Sequence, residues 1–69
     1  MENCSVYFLD MLKNHQDKCR IFLQSGIRLE NIHILDFDDL SILIKPSYTD
    51  DKPMLIFRSA IASIVQLDD

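Results

Sequence analysis

The apolar residues in the middle of the chain change their alternation partway along a single predicted strand. Ile27 and Leu29 occupy odd positions, whereas Ile32 and Ile34 occupy even ones. Side chains alternate between the two faces of a strand, so an unbroken strand would expose half of this set to water. One extra residue near Glu30-Asn31, a β-bulge, restores the facing and bends the strand strongly. A strand bent in this way can contribute to both sheets of a small barrel.

The flanking segments predict one helix and four further strands. Apolar residues recur at helical spacing at about 4–15, where there is no glycine or proline. Segments 19–24, 40–45, 54–58 and 61–67 have strand-like apolar patterns, Ser25-Gly26 predicts a tight turn, and Pro46 to Pro53 predicts a polar loop. We expect Met11 and Met54 to fill the core. The fold class is therefore mainly β, with a helix at about 4–15 before a small, five-stranded, strongly bent β-barrel at about 19–67.

Length and composition favour a small subunit that associates with itself. A chain of 69 residues has room for one domain, 1–69, and not for a second core. Yet 48% of the residues are hydrophobic, more than so small a volume needs. Small domains of this kind complete their core by oligomerisation. The net charge of −4 opposes non-specific binding to nucleic acid.

The sequence predicts a cytoplasmic protein without membrane, metal or cofactor. The first twelve residues have neither a basic nor an apolar signal-peptide region, and no apolar run approaches the ~20 residues of a membrane span. A single disulfide between Cys4 and Cys19 stays open as an alternative, although disulfide-dense secreted domains contain more cysteine. Zinc binding by these cysteines with His15 and His33 is disfavoured, because paired C-x₂₋₄-C spacing is missing.

A cluster of aspartates precedes the third predicted strand. Asp36, Asp38 and Asp39 suit a metal or acid–base site, a contact of Asp39 with RNA, or the polar bend between two buried strands. We favour the bend, since a short carboxylate can cap the backbone N–H groups of a turn. A cluster without a partnered histidine, lysine or phosphate loop is weak support for catalysis. We therefore expect no catalytic residues and no enzyme activity.

The order of four short segments resembles a known family along nearly the whole chain. These are Phe8-Leu9, Ser25-Gly26-Ile27, Phe37-Asp38 before Ile42-Leu43-Ile44-Lys45, and Phe57-Arg58-Ser59-Ala60-Ile61-Ala62. They are similar to the helix, turn and strand motifs of Hfq, the family of bacterial Sm-like RNA chaperones. The chain has one residue more than the family pattern, where the change of alternation places the bulge. The resemblance implies a homohexameric ring of helix-capped Sm-like barrels, in which each fourth strand pairs with the fifth strand of its neighbour.

In the family, one face of the ring binds A-rich RNA between an aromatic residue of the first strand and apolar residues after the glycine. The matching positions, here called the distal set, are Phe22, Gly26, Ile27, Arg28, Leu29 and Glu30. Glu30 replaces the usual glutamine, and its carboxylate has no donor at pH 7. Phe22, Ile27 and Leu29 are equally compatible with plain barrel or interface packing. Of the two faces, this one is the better preserved.

The opposite face binds uridine-rich RNA in the family. The matching positions, here called the pore set, are Ser5, Asp39, Leu40, Phe57, Arg58 and Ser59. Leu40 lacks a π-face and so loses a stacking contribution of ~1–3 kcal/mol per base, while Asp39 adds negative charge near phosphate. Arg58 retains the positive charge. At the rim, where the family has arginines, Lys13 is the remaining reliable cation.

Two functions follow from these comparisons of residues. The first is an Hfq-like RNA chaperone in post-transcriptional regulation that favours A-rich RNA and binds uridine-rich RNA weakly. The second is a degenerate Sm-like ring that has largely lost RNA binding. Such a ring would act through protein–protein contacts or through mixed rings with a paralogue.

Overall fold

The computed structural model describes residues 4–46 and 52–67. Helix α1 (Cys4–His15) precedes five antiparallel strands: β1 (Cys19–Leu23), β2 (Arg28–Phe37), β3 (Ser41–Pro46), β4 (Met54–Phe57) and β5 (Ile61–Gln66). A 3₁₀ turn, Arg58–Ala60, connects β4 to β5. The predicted helix and five strands are confirmed, whereas most of the predicted loop from Pro46 to Pro53 lies outside the described residues.

The strands form one sheet in the order β4-β3-β2-β1-β5. Consecutive strands are therefore neighbours except at the last step, where β5 crosses to pair with β1. Within the described part of the chain the sheet is open, and β4 and β5 are its two edges. The mainly β architecture agrees with the sequence prediction at this level.

Helix α1 ends in a backbone motif that is not predictable from the sequence, because no glycine follows the helix directly. Gln16 has φ 54°, in the left-handed region that glycine usually occupies after a helix. Its N–H donates to Lys13 O at 3.3 Å, and the Asp17 N–H donates to Leu12 O at 3.2 Å. These two bonds form a Schellman motif, which satisfies carbonyls that the helix end leaves free.

Strand β2 contains the predicted bulge. Its pairing with β1 moves from Leu29 to Ile32 while β1 advances only from Ile21 to Cys19, so β2 has one residue more. Asn31 lies in this extra stretch with φ 52°, a left-handed conformation that asparagine tolerates better than most residues. The bulge near Glu30-Asn31 is confirmed, and it is what allows Leu29 and Ile32 to belong to one strand.

A second bulge lies further along β2, where the alternation of apolar residues does not predict one. Ile34 pairs with Ile44 but Asp36 pairs with Leu43, which leaves Leu35 as the extra residue. The side chain of Leu35 is consequently 39% exposed, although it is apolar. Two bulges in one ten-residue strand bend it at two points.

The core lies between α1 and the sheet, and α1 packs mainly on β2. Its buried apolar residues come from the helix and from four strands: Leu9, Leu12, Cys19, Ile21, Ile32, Ile34, Ile42, Ile44 and Ile56. Met11 packs against this core as expected. The same expectation is wrong for Met54, which is 51% exposed because it lies on the edge strand β4.

Both cysteines are free, which removes the disulfide alternative. Cys4 is exposed on α1, whereas Cys19 is fully buried and donates its S–H to Ile32 O at 3.3 Å. Burial raises the pKa of the Cys19 thiol to about 11, so this side chain stays protonated and packs as a small apolar residue. Among the described residues, no helix has the length and apolar character to cross a membrane.

Candidate nucleic-acid interface

The aspartate cluster forms the turn between β2 and β3. Asp38 Oδ1 accepts hydrogen bonds from Leu40 N at 2.9 Å and from Ser41 N at 2.7 Å, and from Ser41 Oγ at 3.0 Å. These donors, led by the two backbone N–H groups, hold the pKa of Asp38 below its usual range. The capping function predicted for Asp38 is confirmed, and Asp39 is an exposed neighbour at the same corner.

The pore set comes together around Arg58. Its guanidinium donates from Nη1 to Asp38 O at 2.9 Å and from Nη2 to Ser5 Oγ at 2.8 Å. The Arg58 N–H also donates to Leu40 O at 2.8 Å, so the 3₁₀ turn is attached to the β2–β3 corner. The structure thus joins Ser5, Leu40 and Arg58, three residues far apart in sequence. Asp39, Phe57 and Ser59 are exposed beside them.

A pocket of about 260 Å³ lies next to the Arg58–Ser5 contact. Its apolar lining comes from Phe8 and Leu9 of α1 and from Ile61 and Ile64 of β5, and Ser5 and Arg58 supply the polar groups. A lining of this kind suits an apolar group better than a phosphate. The exposed Leu40 side chain, 76% exposed at the adjacent corner, provides apolar surface but no stacking plane.

The distal set is organised by the β1–β2 hairpin. Gly26, with φ 94°, donates its N–H to Leu23 O at 3.0 Å, and Leu23 N donates to Ile27 O at 2.8 Å. Phe22 pairs with Arg28 and is half-buried, whereas Ile27 at the turn is 57% exposed. The structure therefore brings the six residues of the distal set together on one hairpin, as their short spacing requires.

Glu30 forms ion pairs with two arginines. Its Oε1 accepts from Arg20 Nε at 2.8 Å, and its Oε2 lies 2.7 Å from Arg28 Nε. The carboxylate, expected only to lack a donor, instead neutralises cations on its own surface. A pocket of about 270 Å³ lies beside this cluster, and its lining includes Arg28, Glu30 and the exposed Met54.

Arg20 also belongs to this surface, although the sequence alone does not single it out. It precedes Phe22 by two positions on β1, so the alternation of a strand places both on the face opposite buried Cys19 and Ile21. That alternation was visible in the sequence. The partner was not, because the bulge at Asn31 sets which β2 residue faces Arg20.

Lys13, which the resemblance places at the rim, is also paired. Its Nζ donates to Asp36 Oδ1 at 3.1 Å, and both side chains are substantially exposed. The backbone N–H of Phe37 and the Lys13 ammonium both lower the pKa of Asp36. Exposed pairs of this kind are weak, so Lys13 remains available to a stronger anion.

Residues 4–46 and 52–67 contain no group of three or more histidine, cysteine, aspartate or glutamate side chains placed to hold a metal ion. No protein-family model and no curated protein matches the sequence. The resemblance to Hfq therefore rests on the order and spacing of the four segments in the chain itself.

Proposed function

We propose that the protein is a ring-forming, Sm-like RNA-binding protein of the Hfq type that favours A-rich over uridine-rich RNA. The observation that carries this proposal is the strand order β4-β3-β2-β1-β5. It puts β4 and β5 at the two edges of the open sheet, and these are the strands that pair between neighbouring subunits in the family. Pairing would close each sheet edge, as natural β proteins require.

The side chains of the two edge strands support assembly. Leu55 and Phe57 of β4 are 55% and 62% exposed, and Val65 of β5 is 42% exposed. Apolar side chains concentrated on unpaired edges are typical of strands that pair with another chain. Covering them would contribute about 25 cal/mol for each Å² of apolar surface removed from water.

The distal set supports binding to A-rich RNA. Phe22 offers an aromatic ring, Ile27 is exposed at the adjoining turn, and Arg28 is 60% exposed along its side chain. Aromatic residues in a cationic groove bind single strands by stacking successive bases. Backbone groups of this hairpin would have to form the hydrogen bonds to adenine, since Glu30 is already paired with Arg20 and Arg28.

The pore set supports only weak binding to uridine-rich RNA. Two guanidinium donors of Arg58 are used by Ser5 and Asp38, so a base edge or phosphate must compete with intramolecular partners. Leu40 cannot stack on a base, and Asp39 places a negative charge at the same corner. These features together lower the affinity that the family attains on this face.

The pairing of cations favours the second candidate, a ring that acts through protein contacts. Lys13, Arg20 and Arg28 each face a carboxylate within 3.1 Å. With a net charge of −4, the chain has little positive surface to neutralise phosphates. Ring assembly is common to both candidates, and RNA affinity separates them.

The test has two stages. Native mass measurement should give the mass of several 8.1 kDa subunits. A stable monomer at micromolar concentration would contradict the proposal. Fluorescence anisotropy with oligo-A and oligo-U at two salt concentrations then separates the candidates. Salt-sensitive binding that favours oligo-A supports the RNA-binding protein, and no binding to either supports the second candidate.

A variant locates the binding face. Phe22→Ala should weaken oligo-A binding by about tenfold, because one stacked base contributes ~1–3 kcal/mol. Tyr7→Ala is the matched control, since Tyr7 is an aromatic residue of α1, 65% exposed and outside both sets. Equal effects of the two substitutions would remove the distal set from the proposal.

A further inference from the structure

Glu30 and its two arginines form a compact ionic cluster on the β1–β2 hairpin. Each carboxylate oxygen takes one arginine, with Oε1 2.8 Å from Arg20 Nε and Oε2 2.7 Å from Arg28 Nε. The side chains are partly accessible, at 35% for Arg20, 36% for Glu30 and 60% for Arg28. An anion arriving from solvent can therefore reach this cluster.

The register of the hairpin places an aromatic ring in the same neighbourhood. Arg20 and Phe22 lie on one face of β1, and Phe22 pairs directly with Arg28 across the ladder. Residues opposite each other in antiparallel strands have Cβ atoms ~4.5–5.5 Å apart. Two guanidinium groups beside an aromatic side chain are the combination that binds a phosphodiester and its base.

We propose that Arg20 and Arg28 form a phosphate-binding pair for single-stranded RNA, and that Glu30 is an internal competitor which occupies the pair when RNA is absent. This inference rests on the proposed function and adds Arg20 to the distal set. A guanidinium binds carboxylate and phosphate through the same donor geometry, so Glu30 takes the place that a phosphate oxygen would take. RNA binding then requires the Glu30 side chain to move aside.

The exchange is feasible because the cluster is only half-buried. Ion pairs exposed to this degree contribute little net stability, since water and salt screen them. A phosphodiester repeated along a strand gains from several subunits at once, whereas a single free phosphate does not. Glu30 lowers the affinity of each phosphate contact by the same factor, so a strand that makes several contacts can still bind where an isolated phosphate does not.

A purely structural ion cluster makes a different prediction. If Glu30 only holds β1 and β2 together, Glu30→Gln should reduce stability. RNA affinity should then rise only as much as the removal of any one exposed negative charge would raise it. If Glu30 is a competitor, the same substitution frees both arginines and raises RNA affinity well above that level. The two explanations therefore differ in a measurable way.

The experiment compares Glu30→Gln with Asp10→Asn in the full chain. Asp10 is the matched control, because it is an exposed acidic residue of α1 that lies outside both sets, and its carboxylate accepts from Asn14 Nδ2 at 3.2 Å. The probes are oligo-A and an abasic phosphodiester strand of equal length, followed by fluorescence anisotropy. We expect Glu30→Gln to tighten binding of both probes by about tenfold and to steepen the salt dependence, and Asp10→Asn to change binding by less than about threefold.

A second pair of variants keeps the inference testable if Glu30→Gln folds poorly by circular dichroism. Arg20→Gln should weaken binding of both probes severalfold more than Lys18→Gln, which removes the same charge from an exposed residue before β1. Equal effects within each pair of variants would overturn the inference. Tighter binding of the abasic strand by Glu30→Gln without preference for oligo-A would uphold the phosphate site and contradict the A-rich specificity. If the wild type prefers oligo-A and Glu30→Gln leaves its binding unchanged, the A-rich specificity is upheld and the phosphate site is contradicted.

Discussion

The guanidinium of Arg58 donates to the hydroxyl of Ser5 at 2.8 Å, although the two residues are 53 positions apart. The same guanidinium donates to Asp38 O at 2.9 Å. One side chain thus joins the first turn of α1, the β2–β3 corner and the turn before β5. Arg58 holds the pore set together as well as being a candidate RNA ligand.

We expect Arg58→Ala to lower the free energy of unfolding by about 1 kcal/mol, since it removes hydrogen bonds that connect three elements. A double-mutant cycle with Ser5→Ala isolates their mutual contact, and the coupling should be about 0.5 kcal/mol. Urea unfolding at one fixed protein concentration measures both values, because the proposed oligomerisation would make stability depend on concentration. Strict additivity would show that the contact contributes nothing.

Asp38 should make stability depend on pH in the acid range. Its pKa in the folded protein lies below the ordinary value of 3.8, so its contribution is complete above that value and is lost as pH falls through the lowered pKa. Thermal unfolding between pH 7 and pH 2 should show this loss. Asp38→Ala should lower Tm at pH 7 and flatten the acid dependence.

Asp38→Asn provides the control for the capping bonds themselves. An amide oxygen can still accept from the Leu40 and Ser41 N–H groups, whereas its charge is absent. We expect an intermediate Tm at pH 7. A Tm equal to that of the wild type at pH 7 would show that the charge has no part in the turn.

Gln16→Gly should stabilise the protein by about 0.5–1 kcal/mol. Gln16 has φ 54°, which glycine adopts without the steric cost that a side chain brings, and its role in the Schellman motif uses only backbone groups. Gln16→Ala retains a Cβ and should give no gain. Equal stability of the two variants in urea unfolding would contradict this explanation.

If the proposed ring forms, Leu55→Lys should reduce it to smaller species. Leu55 is 55% exposed on the edge strand β4, where a charged side chain opposes pairing with another chain. Leu35→Lys is the control, because Leu35 is also an exposed leucine but lies on β2, inside the sheet. Light scattering of both variants checks the prediction, and dissociation by Leu35→Lys alone would point to a different interface.

The helix, the five strands and one bulge were predictable because they depend on local patterns. The apolar residues change from odd to even positions at Ile32 and Ile34, and a bulge lets residues of both groups face the core. The second bulge was not predictable, since an extra Leu35 next to Ile34 looks like continuous apolar sequence. Exposure of Leu35 is decided by its pairing with β3, which is a non-local property.

The contacts among the candidate site residues were not predictable from the sequence. Phe22 and Arg28 were assigned to the distal set by the resemblance to Hfq, and the hairpin turn at Gly26 places them opposite each other. Arg20 and Glu30 meet only through the register that Asn31 sets, and Arg58 reaches Ser5 only after the sheet has formed. The wrong expectation for Met54 has a similar cause. Its side chain is exposed because it lies on β4, the edge strand of the sheet, and the sequence does not show which strand is at the edge.

The two free edges of the sheet are different strands, so any contact between β4 of one copy and β5 of the next is head-to-tail. Two copies joined in this way still have one free β4 edge and one free β5 edge. Further copies can be added until the last copy pairs with the first and a ring closes. The angle between successive copies decides whether that happens or a filament results. Because the bulges at Asn31 and Leu35 bend the strand at the centre of the sheet, residues far from any interface would set the number of copies.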